Sequence, residues 1–153
     1  MRQFTLMLNK RPQRPIAYLK DWNGIDAMID TGSLYPVWVA DESILRMIGA
    51  ELLRDDVGFS GFGGRVTGSL YMLPVFQFGE LIYPHFNIIA HKLDLPCQMI
   101  LPATMFRNLS YEIDDENHMF HVTIPDKESN VRNLVIEDRN GKLYVLCTSG
   151  EMV

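Results

Sequence analysis

Several things are scarce in this 153-residue chain. No apolar run approaches the length of a membrane span, which takes about 20 residues in succession, so no spanning helix is expected. Cysteine occurs only as Cys97 and Cys147, both in apolar surroundings. That pattern reads as two buried free thiols of a cytoplasmic protein, not as a disulfide framework. Basic residues are outnumbered, 14 Lys and Arg against 19 Asp and Glu, for a net charge of −5. This argues against nucleic acid as a partner. The stretch Met1 to Asn9 has too short an apolar segment for an export signal, and no small-residue cleavage site follows it. Four histidines are spread thinly. His85 and His91 flank a candidate strand, and His118 and His121, three apart, fall on opposite faces of another. No metal and no other cofactor is expected. Internal repeats and low-complexity tracts are absent as well.

What is present is a chain 47% apolar and 22% charged, long enough for one domain with a proper core, taken as residues 1–153. Short extended patterns recur at frequent turns. Phe4, Leu6 and Leu8 alternate with Thr5, Met7 and Asn9, and the run Lys10 to Pro15, with two prolines, breaks the strand. Trp22-Asn23-Gly24 marks a hairpin before Ile25 to Ile29. Leu70 to Phe78, Phe86 to Ala90 and Gln98 to Leu101 read as further strands. Hairpins are expected over Leu109 to Ile124 and over 131–148, the latter turning at Asn140-Gly141. Ile44, Leu45, Ile48, Leu52 and Leu53 lie at helical spacing behind Asp41 or Ser43, which predicts an amphipathic helix over 42–53. Pro102 opens a second, short helix running to about Asn108. The class is mainly β, a barrel or sandwich.

The most informative stretch is Ala27-Met28-Ile29-Asp30-Thr31-Gly32-Ser33. An apolar strand delivers one carboxylate to a tight turn, with two hydroxyls beside it. A carboxylate at the end of a core strand needs partners. About thirty residues on, five glycines fall between Gly58 and Gly68. They lack the lysine and Ser/Thr of a phosphate loop, and no helical pattern follows them. They read as a mobile turn between strands.

Apolar-apolar-Asp-Thr-Gly-Ser followed by a glycine-rich hairpin resembles the retropepsin-like aspartic proteases. The resemblance covers roughly residues 16–124. It implies a closed β-barrel of the acid-protease type carrying the one amphipathic helix and the short helix. It also implies a catalytic Asp30 with Thr31 and Gly32 in its turn. Ser33 would hydrogen-bond the Asp30 carboxylate. The hairpin would be a flap over the substrate, with Phe59 and Phe62 near its tip. Gly61, Gly63, Gly64 and Leu101 complete the implied substrate contacts. Ile100-Leu101-Pro102 stands where the family has two apolar residues and a glycine. Leu34 and Ala103 stand where retroviral members pair an aspartate with an arginine, so both charges are missing together.

Hydrolysis by this chemistry takes two carboxyl groups about 3 Å apart that share one proton. The chain has no second Asp-Thr-Gly; Asp94 lies between leucines, without the turn. The resemblance therefore implies a homodimer with one Asp30 from each copy, acting on an extended peptide or protein substrate. The competing expectation is an inactive relative kept as a peptide-binding or dimerisation module. A third is a β-rich adaptor in which Asp-Thr-Gly is only a turn.

Overall fold

The computed structural model describes residues 1–10, 14–61 and 63–150. Arg11, Pro12 and Gln13 of the Lys10 to Pro15 break, and Phe62 at the glycine-rich hairpin, lie outside the described residues. The strands are β1 (Arg2–Met7), β2 (Ile16–Leu19), β3 (Ile25–Ile29), β4 (Val37–Trp38), β5 (Glu51–Gly61), β6 (Gly64–Leu73) and β7 (Phe76–Phe78). They continue as β8 (Leu81–Ala90), β9 (Met99–Leu101), β10 (Ser110–Asp114), β11 (Met119–Ile124), β12 (Val131–Arg139) and β13 (Lys142–Ser149). One helix, α1 (Glu42–Met47), and one 3-10 turn (Ala103–Phe106) complete the described elements. The chain is mainly β. Among the described residues no helix is long and apolar enough to cross a membrane.

A large sheet runs β13-β12-β8-β4-β9-β3-β2, and a smaller one runs β1-β11-β10. The order inside the large sheet matters for function. β3 and β4 are neighbours in sequence, yet β9 lies between them. It is parallel to β3, with Leu101 opposite Ile29, and antiparallel to β4, with Ile100 opposite Val37. All three residues of β9 are buried, as suits a strand flanked on both edges and covered on both faces. β3 alternates buried and half-buried positions. β8 is the hub. It pairs with β7 and β12 along its first half and with β6 and β4 along its second.

Aromatic side chains fill the interior. Phe76 meets the Trp22 ring edge-on at 4.7 Å and leans on Phe86 at 4.4 Å. Phe120 of β11 meets Phe78 at 5.8 Å and Phe106 at 5.4 Å, which joins the small sheet to the large one. Pairs in this distance range add to the area they bury.

Three sequence readings are corrected here. The amphipathic helix does not run over 42–53. It stops at Met47, and Leu45 is its only fully buried residue. Gly49 then adopts φ +98°, its N–H returns to the Arg46 carbonyl, and the chain turns into β5. Leu52 and Leu53 are strand residues, 45% and 46% exposed. The short helix after Pro102 is a single 3-10 turn. The Leu70 to Phe78 strand is broken at Pro74, so β6 ends at Leu73 and β7 begins at Phe76. The C-terminal hairpin is present and regular, paired without a break from Arg132 opposite Ser149 to Arg139 opposite Lys142.

Candidate active site

Asp30 is the first residue beyond β3, and its surroundings follow from the interleaved order of the sheet. Its N–H donates to the Leu101 carbonyl at 2.9 Å, the last rung between β3 and β9. The Ser33 N–H closes the turn on the Asp30 carbonyl at 3.0 Å. The Gly32 N–H donates to Asp30 Oδ1, also at 3.0 Å. The carboxylate thus caps its own turn in the manner of an Asx turn, and Asp30 stays partly open to solvent while Thr31 and Gly32 are exposed.

One implied contact is absent from the chain. The Ser33 hydroxyl does not bond the Asp30 carboxylate; it donates to the Tyr35 carbonyl at 2.8 Å. The hydroxyl stabilises the exit of the turn, and the backbone N–H of Gly32 supplies the carboxylate's partner instead.

Pro102, in the place of the family glycine, is buried at φ −86° and ψ 161°, at the entry to the 3-10 turn. Proline fixes φ near this value and pushes the preceding residue into extended backbone. Leu101 is extended already, and what it gives the Asp30 turn is a carbonyl. Loss of an N–H at 102 therefore leaves this support intact.

A cleft of about 290 Å³ opens above the turn. Asp30, Gly32 and Ser33 form its floor, Leu34, Tyr35 and Val37 one wall, and Phe59, Ser60 and Gly61 of β5 the other. The β5–β6 hairpin is the glycine-rich element. Its strands are longer than the glycines alone indicate, and its turn falls between Gly61 and Gly64. Gly63 and Gly64 are exposed at that turn and do not line the cleft. Phe59 is not at the tip. It is 2% exposed and packs edge-on against Tyr35 at 5.9 Å and His91 at 5.8 Å. It forms part of the cleft's inner wall. The Leu101 side chain is fully buried, so its contribution to the site is its carbonyl.

Tyr35, Val37 and Ser60 line the cleft and carry no signal in the sequence beyond an apolar extended stretch and a hairpin. The Tyr35 hydroxyl donates to the Leu143 carbonyl of β13 at 3.3 Å. Burial pushes this phenol above its usual range, and the nearby Arg65 guanidinium opposes that. Cys97 and Cys147 are free and buried. Burial raises both thiols, which makes them poor nucleophiles. Among the described residues no group of three or more His, Cys, Asp or Glu could hold a metal ion.

No known family profile and no curated protein matches the chain by sequence. Its fold, however, is similar to a crystal structure of a retropepsin-like aspartic protease from Rickettsia conorii. The two share 12% identity and a TM-score of 0.51, over 79% of this chain and 89% of that one. The likeness is one of fold, and it defines the architecture here as retropepsin-like.

Proposed function

We propose that the protein is a homodimeric aspartic endopeptidase, with the catalytic pair made by Asp30 of each protomer. One observation carries this reading. Asp30 ends a core strand, is held by the Leu101 carbonyl, and faces a cleft walled by the β5–β6 hairpin. The strand order supports the acid-protease barrel as the scaffold. Leu34, 57% exposed beside the turn, offers an apolar side chain to a second copy. It lies where a charge would be left unpaired if only one of the family's two ionic partners had been lost.

In the proposed reaction, one Asp30 carboxylate accepts a proton from a water molecule as its oxygen attacks the scissile carbonyl carbon. The other Asp30, protonated, donates to the carbonyl oxygen, giving a tetrahedral diol. The C–N bond then breaks, the amine leaves with a proton, and the pair again holds one proton. Gly32 lets the substrate strand come close, and Thr31 holds the turn against its symmetry mate. Phe59 and Gly61 form the lid side of the cleft, with Gly63 and Gly64 giving the lid its freedom. The substrate is an extended peptide or protein segment. Two buried free thiols support a reducing, cytoplasmic setting.

Asp30→Asn is expected to lower peptide cleavage by about 10³-fold while leaving dimer formation no weaker at neutral pH. Cleavage of a peptide library read by mass spectrometry, with sedimentation of both forms at acidic and neutral pH, tests this. Cleavage that survives Asp30→Asn removes the mechanism. The competing reading, an inactive peptide-binding module, is favoured by the presence of the cleft in a single chain. It predicts peptide binding without cleavage in both forms.

A further inference from the structure

The outer face of the β5–β6 hairpin meets the turn of the β12–β13 hairpin, and both oxygens of one carboxylate are engaged there. Asp138 stands near the end of β12. Its Oδ1 accepts the Gly141 N–H at 2.9 Å, which folds the turn through Asn140 at φ +54° and Gly141 at φ +84°. Its Oδ2 is ion-paired with the Arg54 guanidinium on β5. The turn that Asp138 shapes then presents the Gly141 carbonyl to Arg65 Nη2 of β6, at 3.4 Å. Two residues further, the Leu143 carbonyl receives the Tyr35 hydroxyl from the cleft wall.

The positions of these contacts along the hairpin are informative. Arg54 sits where the β5–β6 ladder is irregular, with register shifts between Leu52 and Arg54 and between Arg54 and Val57. Nearby Asp56 adopts φ +53°. A ladder interrupted twice within a few residues is a place to bend. Arg65 lies beyond that bend, on the arm. Its guanidinium crosses Gly58, where a Cβ would lie 2.9 Å from Nη2. The β12–β13 hairpin therefore grips the bend and the arm of β5–β6 and, through Tyr35, the opposite wall of the cleft.

We propose that Asp138 is a positioning residue for the β5–β6 hairpin, holding it at a set height over the Asp30 cleft, so that admitting a peptide requires the Arg54–Asp138 pair to part. This rests on the hairpin serving as the lid of a peptide-binding cleft. The pair is half open to solvent, with side-chain exposures of 57% for Arg54 and 26% for Asp138, so its hold weakens as salt screens it.

Hydrogen exchange reports hairpin opening without any need for catalysis. In Asp138→Ala, which loses the ion pair and the turn bond, amides of 57–61 and 64–68 are expected to exchange about tenfold faster. In Asp138→Asn, which keeps an acceptor for Gly141, they should exchange about threefold faster. The swap Arg54→Asp with Asp138→Arg should restore most of the protection. Binding of a fluorescent extended peptide to the Asp30→Asn protein gives a second readout. Asp138→Asn should speed both association and release, and high salt should do the same to the unaltered protein only. If Asp138→Ala fails to fold, Arg54→Gln, which loses the ion pair and keeps the turn bond, carries the threefold expectation of Asp138→Asn. Exchange in β5–β6 equal to that of the unaltered protein in both Asp138→Asn and Arg54→Gln would overturn the proposal. So would a swap variant no better protected than the single variants. Exchange that responds as expected, with no peptide cleavage under any condition, would instead leave the latch standing and remove the protease reading.

Discussion

The two long hairpins that meet beside the cleft are built on opposite plans. β12–β13 pairs residue for residue from end to end, turns on Asn140-Gly141, and is rooted in the interior by Arg132. β5–β6 shifts register twice near its base, has residues 51–56 exposed, and carries five of the eleven glycines between positions 58 and 68. A regular ladder transmits position; an interrupted, glycine-rich one gives way. The same strand chemistry thus yields a fixed element and a yielding one, and the difference lies in where side chains are anchored.

Removing the root of the rigid hairpin should have the largest effect. Arg132 is 1% exposed, donates to the Arg107 carbonyl, and has Nη1 facing Glu128 Oε2 at 3.5 Å. Its Nη2 also reaches Cys147 Sγ at 3.5 Å. Arg132→Ala leaves Glu128 without its partner and should cost about 3–5 kcal/mol, read as a lowered urea midpoint. A similar midpoint in the variant would make the two hairpins equally loose at their bases.

A smaller loss is expected where the yielding hairpin joins the core. A Cβ at Gly68 would lie 2.5 Å from the Ala90 carbonyl oxygen and 2.8 Å from Ile89 Cγ2. Only glycine lets β6 reach β8 there. Gly68→Ala should cost about 1–3 kcal/mol and raise exchange in β5–β6 more than in β12–β13. Equal exchange in both would dissolve the contrast.

The smallest effect appears at alkaline pH. The Tyr83 hydroxyl, fully buried on β8, donates to the Met105 carbonyl at 2.7 Å beside Arg132 and Cys147. Burial holds this phenol protonated far above its usual range. Its contribution is therefore complete below about pH 10, where a free tyrosine ionises, and is lost as pH rises beyond it, because only the unfolded chain releases the proton. Tyr83→Phe should be less stable at neutral pH by about 1 kcal/mol, yet show a shallower fall across the alkaline range. Parallel pH profiles would mean that the root of β12–β13 is wet.

Much of this arrangement can be read from the residues themselves. The place of Asp30 at the end of a buried strand is visible because an apolar run stops there at a turn-forming Asp-Thr-Gly, and the Asn140-Gly141 turn is visible from its dipeptide. The helix over 42–53 is misread because Ile44, Leu45, Ile48, Leu52 and Leu53 satisfy a period of 3.6 by coincidence. What ends the helix is the left-handed turn at Gly49, a glycine stop signal that the apolar spacing on either side of it outweighs. The inner position of Phe59 is hidden for a related reason. Its chain neighbours are the small residues Gly58 and Ser60, and burial there is created by Tyr35 and His91, which arrive from segments distant in sequence. The Ser33 hydroxyl could go either way on sequence grounds, and local geometry gives it to Tyr35.

The insertion of β9 between β3 and β4 has a consequence for synthesis. The acceptor that fixes Asp30 belongs to Leu101, so a chain emerging from the ribosome displays its acidic turn long before the strand that supports it. Such long-range parallel pairings close late and slowly. A fragment ending near Asp94 carries every residue of the Asp-Thr-Gly turn but lacks the Leu101 carbonyl that ties the turn to β9. The floor of the cleft is therefore expected to close late in folding, once Leu101 has been made.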